Sequence, residues 1–261
     1  MREHNCLMHS WKGILALIVA SLLFAGTALA QQASLSDSTI QSIIEKRLAK
    51  RGLPTDNIQV SVDDGVVTLS GMVERLDEKR QAGEAAQGID DVMDVKNLIV
   101  LKPVGLSDQE IANRVAKVIR ESVFYDIFDW VEGSVKDGEV DLSGYVREPW
   151  RKQDYERLVE KVAGVSEIEN NLEVLPTSPM DDQIRVRASR LIFHHPMFAE
   201  YANRSTPPIH IIVKNGNILL KGVVRSQVEK VQAENLLRGN VLSFSVTNQL
   251  VTEAERRAIP R

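Results

Sequence analysis

Twelve residues, "VDDGVVTLSGMV" at 62–73, return as "VKDGEVDLSGYV" at 135–146 and again as "VKNGNILLKGVV" at 213–224. The landmarks of this stretch keep their spacing. One glycine recurs at Gly65, Gly138 and Gly216, and a second at Gly71, Gly144 and Gly222. A downstream asparagine recurs at Asn97, Asn170 and Asn248, and every set shows the same offsets of 73 and 78. Three landmarks in one register define an internal repeat of about seventy residues. The chain therefore has to fold as three copies of one small unit. A unit of that size buries only about 60% of its unfolded surface, so packing against neighbours helps each one.

Periodicity gives the content of a unit. Apolar residues at helical spacing open each copy: Ile40, Ile43, Ile44, Leu48; Ile111, Val115, Val118, Ile119; and Ile184, Ala188, Leu191, Ile192. Ser107 and Glu110 form a capping-box pattern, and Gly52 stands where the first helix should stop. An alternating strand follows (Ile58, Val60, Val62 in the first copy), then Asp64-Gly65, Asp137-Gly138 or Asn215-Gly216. These pairs suit the two positive-φ positions of a type I′ turn and predict a β-hairpin. The glycine in each return strand implies close approach of a helix backbone or a bulge. A second helix carries Tyr155, Leu158, Val159 and Val162 inward, with Ala82, Ala85, Ala86 and Ala233, Leu236, Leu237 in matching places. A last strand ends the unit. A helix separates it from the hairpin, so it can pair in parallel. The fold class is α+β: three tandem α-β-β-α-β modules, each with two helices on one face of a three-stranded mixed sheet. Their expected bounds are 36–102, 107–175 and 180–252, with a tail at 253–261.

The first thirty residues differ. Arg2 and Lys12 precede the uncharged "GILALIVASLLFAG", and Ala28 and Ala30 follow in small-x-small arrangement. This is the pattern of an export signal, with cleavage expected after Ala30. The apolar run is shorter than the 18 or more residues of a spanning helix, so an uncleaved anchor is the alternative reading. Cys6 is the one cysteine and would leave with the signal. No disulfide, thiolate metal site or cysteine nucleophile is then expected. No later segment is long and uncharged enough to span a membrane.

Charge is uneven. Residues 36–102 hold 9 basic and 12 acidic residues (−3), 107–175 hold 9 and 16 (−7), and 180–261 hold 12 and 7 (+5). Nucleic acid is a poor partner for a net-acidic chain, whereas the last third can attract an anionic surface.

The hairpin pattern followed by a helix and then "GVSEIENNL" (164–172) resembles the BON domain of hyperosmotically inducible periplasmic proteins. The second copy matches most fully. The first has Asp91 where the late motif has glycine, and the third has Lys221 in place of the hairpin serine. The resemblance implies an α-β-β-α-β fold, no catalysis, no cofactor, and a periplasmic role in phospholipid contact or envelope integrity under osmotic stress. A protein-interaction scaffold in the same compartment is the alternative, which makes an anionic phospholipid surface or an envelope protein the expected partner.

No catalytic residue is proposed. The chain has no H-E-x-x-H, G-x-S-x-G or G-K-[ST] element. His194 and His195 are adjacent and point apart, which suits surface or capping roles, and His210 should face outward from its strand; no metal site is expected. The three glycine and asparagine sets read as fold requirements. The candidate lipid-contact set is Arg185, Arg187, Arg190, Phe193, Phe198 and Tyr201, cations beside interfacial aromatics, each cation worth about 1 kcal/mol near an anionic surface. The bland reading is a solvated helix face followed by core residues. A rival surface is Arg147, Trp150, Arg151 and Lys152, with Trp150 either an anchor or a hydrophobic staple at its helix entry. Phe124, Phe128 and Trp130 are expected in the core.

Overall fold

The structure, a computed structural model, describes residues 34–204 and 206–258; the export segment read at 1–30 and its Ala30 cleavage point lie outside the described residues. Unit one runs α1 (Asp37–Lys50), β1 (Ile58–Asp63), β2 (Val66–Val73), α2 (Leu76–Ala86), β3 (Asp94–Asn97) and β4 (Val100–Leu101). Unit two runs α3 (Asp108–Arg120), β5 (Trp130–Lys136), β6 (Glu139–Val146), α4 (Pro149–Val159) and β7 (Glu167–Val174). Unit three runs α5 (Pro179–Phe193), α6 (Ala199–Ala202), β8 (Ile209–Lys214), β9 (Asn217–Val224), α7 (Gln227–Arg238) and β10 (Ser245–Thr252). Residues read as the start of a tail form α8 (Glu253–Ala258).

The hairpin is the local device that organises each unit. Asp64 and Gly65 have φ of 45° and 73°, Asp137 and Gly138 53° and 80°, Asn215 and Gly216 51° and 75°, as a type I′ turn requires. A carboxylate from the first turn of the opening helix holds each turn. Asp37 accepts from the N–H groups of Asp64 and Gly65 at 3.0 and 3.1 Å, and Asp108 from Asp137 and Gly138 at 2.8 and 3.0 Å. Asp181 accepts from Asn215 and Gly216 at 2.9 and 2.7 Å. This clamp was legible as an Asp three residues before Ile40, Ile111 and Ile184, but its partners lie far along the chain.

The second strand is central in every sheet, antiparallel to the first and parallel to the last. Unit one departs from the expected three strands: its last strand is split into β3 and β4, both paired with β2, around the buried Ile99. The return-strand glycine also has a different cause from either expected one. A Cβ on Gly71, Gly144 or Gly222 would fall 2.0, 2.0 and 1.9 Å from the carbonyl oxygens of Asn57, Trp130 and Pro208. The intruding backbone belongs to the entry of the partner strand, not to a helix, and φ of 118–123° excludes a side chain as well.

The opening helices bury Ile40, Ile44 and Leu48, Ile111, Val115 and Ile119, and Ile184, Ala188 and Ile192. Tyr155 and Val159 from α4 and Ala233 and Leu237 from α7 meet them across the sheet face. Strand β8 breaks the expected alternation, because Ile209 through Val213 are all buried. Its outer face lies against unit two. Ile211 N–H donates to the Ile127 carbonyl at 2.7 Å, and Lys221 and Lys214 pair with Glu132 and Glu173 at 3.5 and 2.5 Å. Units one and two meet where Arg80 Nε donates to both Glu160 oxygens at 2.8 Å and Asp77 N–H reaches the Glu160 carbonyl. Units of this size gain from such contacts.

Candidate functional site

The structure divides the α5 set. Arg187 and Arg190 are exposed, although Arg187 Nε donates to the Asn240 carbonyl at 2.5 Å. Phe193 is half-buried against the unit-three core. Arg185, Phe198 and Tyr201 are buried, so the expectation that they touch a lipid surface is corrected. Arg185 follows Ile184 on the inward side of α5, where it donates to Val213 O and to Asp182, both at 2.7 Å. The segment from Pro196 through α6 folds Phe198 and Tyr201 into the core, and the Tyr201 hydroxyl donates to Glu229 at 2.6 Å. An inserted connection carrying two aromatics thus completes a core.

Of the histidines, His195 accepts from Met197 N–H at 3.3 Å and caps a short 3₁₀ turn, while His194 is exposed. His210 is only 4% exposed, against the expectation that it faces outward. Unit two covers it: Nδ1 lies 2.6 Å from the Asp129 carbonyl, and the Tyr125 and Trp130 rings sit 5.1 Å away. A carbonyl only accepts, so Nδ1 carries the proton. Burial holds the pKa of this imidazole below its ordinary value.

The rival surface presents a different picture. Trp150 is the second residue of α4, after Pro149 and beyond the Glu148 cap, so it is not placed as a staple. Its ring packs edge-on against Phe124, centroids 4.8 Å apart at 87°, with the Arg151 guanidinium 5.5 Å from its centre. The pair stays in solvent: Phe124 is 44% exposed, Trp150 47%, and neighbouring Val123 88%. Phe124 therefore fills no core, contrary to expectation. Phe128 packs instead on the core of unit three, and Trp130 lies at the junction. Arg147 and Lys152 are half-buried, and Arg147 rests 5.8 Å from the Phe128 centroid.

Arg151 is buried and pairs with Asp126 at 3.0 Å and with Asp129. Asp129 also accepts from the Tyr155 hydroxyl and Arg147 N–H, each at 2.9 Å. Burial beside this carboxylate drives the Tyr155 phenol far above its ordinary range. The cluster is saturated with donors and pins the α3–β5 connection to α4, a positioning job. Asn97, Asn170 and Asn248 do similar work, donating to the Lys79, Lys152 and Lys230 carbonyls at 2.7–2.9 Å. Among the described residues no cluster of three or more His, Cys, Asp or Glu could hold a metal, and no helix is long and apolar enough to cross a membrane.

A family model described as "BON domain" matches residues 36–103, 107–176 and 198–254. The third match begins at Phe198 and leaves out α5, which nevertheless holds the place that α1 and α3 hold in their units. Similar solved structures include "CdsD - The structural protein of the Type III secretion system of Chlamydia trachomatis: C-terminal domain", 14% identical with a TM-score of 0.23, covering 84% of this chain and 99% of that one. A second chain of CdsD from the same organism is also 14% identical, with a TM-score of 0.22, covering 84% and 98%. At such scores the likeness carries no argument. The search among curated proteins gave no match.

Proposed function

Since the chain belongs to the BON domain family, whose members are generally non-enzymatic proteins of the periplasm and envelope, we propose that it is exported and docks on anionic phospholipid to support envelope integrity under osmotic stress. Val123, Phe124 and Trp150 form the docking tip, and Arg147 and Lys152 stand beside it. The observation that carries this reading is the exposed Phe124–Trp150 pair. Two large rings held edge-on outside any core, with a bare valine next to them, match the apolar body and polar rim that seat aromatics at a membrane interface. Arg187 and Arg190 on α5 supply the residual cationic contribution from the first candidate set.

Flotation with vesicles tests it. The protein should float with anionic and not with zwitterionic vesicles, less so as salt rises, and Phe124→Ser with Trp150→Ser should abolish it. Unchanged flotation of that double variant refutes the tip. Absence of flotation together with a protein partner captured by wild type, and lost on Trp150→Ala, would favour the interaction scaffold. N-terminal sequencing of the mature protein should read Gln31 first if the export reading holds.

A further inference from the structure

A cavity of about 320 Å³ opens where units two and three meet, its wall including Tyr125, the chain neighbour of Phe124. Its apolar walls are Ile119, Tyr125, Trp130, Val131, Pro207, Pro208 and Val223. Arg120, from the end of α3, and Arg256, from α8, complete it, and among the described residues no carboxylate lines it. Both arginines are exposed and neither is ion-paired to a described residue, whereas Lys214 and Lys221 at this junction are paired.

Two features of the lining thus ask for one thing: a pair of cations without ion-pair partners among the described residues and an aromatic wall. We propose that this cavity binds a small amphipathic anion, an apolar body bearing a carboxylate or phosphate, with its oxyanion between Arg120 and Arg256 and its body along Tyr125, Trp130 and the two prolines. The volume lies at the lower end for ligand pockets, so the ligand is small. His210 closes the inner wall as a neutral ring, its Nδ1 proton committed to Asp129 O. The site exists only in the assembled pair, because unit two brings Tyr125 and Trp130 and unit three brings Pro207, Pro208 and His210.

Calorimetry on the whole protein with decanoate and decyl phosphate below their micelle concentrations tests the proposal, with decanol and inorganic phosphate as partial ligands. Either amphipathic anion should bind at least tenfold more tightly than decanol, inorganic phosphate should give no heat, and rising salt should weaken the anions and leave decanol unchanged. Arg120→Gln with Arg256→Gln should erase the preference over decanol, and Trp130→Phe should weaken the anions at least threefold while the melting temperature stays near wild type. Equal affinity for decanoate and decanol, or no binding, or a preference untouched by the double arginine variant, overturns it. Should the double variant fail to fold, the salt series on wild type decides alone. Vesicle flotation of Trp130→Phe, which leaves every charge in place, should equal wild type, which keeps a failure here distinct from failure of the docking tip.

Discussion

Units two and three satisfy the same backbone group with carboxylates from different places. Past the second strand, Arg225 N–H is accepted by Glu229 on the following helix at 2.8 Å. Unit one does likewise, Glu74 N–H reaching Glu78 at 3.0 Å. Unit two has Arg151 at the position of Glu78 and Glu229, on the same offsets of 73 and 78 that mark the repeat. There the acceptor for Arg147 N–H is Asp129, which stands on the α3–β5 connection, and Arg151 turns to pair with it. Charge has been reversed on the helix and supplied again from the loop. The consequence reaches the surface: a loop tied to α4 holds Phe124 against Trp150 and lays Ile127 and Phe128 on unit three. In units one and three the carboxylate is local; in unit three the α5–β8 connection reaches it through the Tyr201 hydroxyl, which donates to Glu229 and accepts from Arg225 N–H at 3.0 Å, with no buried arginine in the tie. A capping position, conservative in two copies, becomes in the third the anchor of the exposed tip and of the junction.

The sharpest way to break this comparison is Asp129→Ala. It strands a buried phenol and a backbone N–H and leaves the buried Arg151 guanidinium with Asp126 alone, and should cost about 3–5 kcal/mol in urea unfolding. Glu229→Ala takes the acceptor from the Tyr201 hydroxyl but leaves that hydroxyl to accept from Arg225 N–H and strands no buried arginine, and should cost about 1–3 kcal/mol. Equal losses would mean that the loop clamp is no stronger than the helix cap. Next in size is a control on what the units share. Gly144→Ala and Gly222→Ala should each cost at least about 2 kcal/mol, since both force positive φ and a clash with a carbonyl. A tolerated Gly144→Ala would contradict the common hairpin geometry.

Arg151→Glu in the Asp129→Ala background moves the carboxylate to where unit three keeps it, and should regain about 1–2 kcal/mol. Vesicle flotation should stay weak in that double variant, because the loop that positions Phe124 is no longer tied. The smallest effect expected is one of pH. The folded His210 has a pKa below that of the unfolded chain, so in the window beneath about pH 6.5 the unfolded state binds more protons. Stability should therefore fall as pH drops through that window, and the melting temperature of His210→Gln should fall less. A parallel decline in both would remove His210 as the cause.

The hairpins, the parallel last strand and the helix stripes were legible because they rest on periodicity and on turn chemistry within a few residues. Contacts between units were not. His210 and Ile212 sit where a lone sheet would face water, and only unit two's presence buries them. Arg185 was misplaced for a related reason: its buried acceptor, Val213 O, belongs to a strand whose proximity no helical pattern reveals. Aromatics were the other failure. Composition drew Phe198 and Trp150 into contact sets on equal terms, yet one closes a core and the other lies in solvent, a distinction set by the path of the connecting loops. The Asp clamp on each turn left a visible trace, a fixed Asp before the first apolar helix residue, without naming what it holds.

Tryptophan fluorescence of a protein retaining only Trp150, with Trp11→Phe and Trp130→Phe, bears most directly on the docking tip. Added anionic vesicles should shift its emission to the blue, and lipids brominated near the headgroup should quench it. Emission that stays unshifted and unquenched while the protein floats with those vesicles would contradict the account, since the membrane would then be held by some other face.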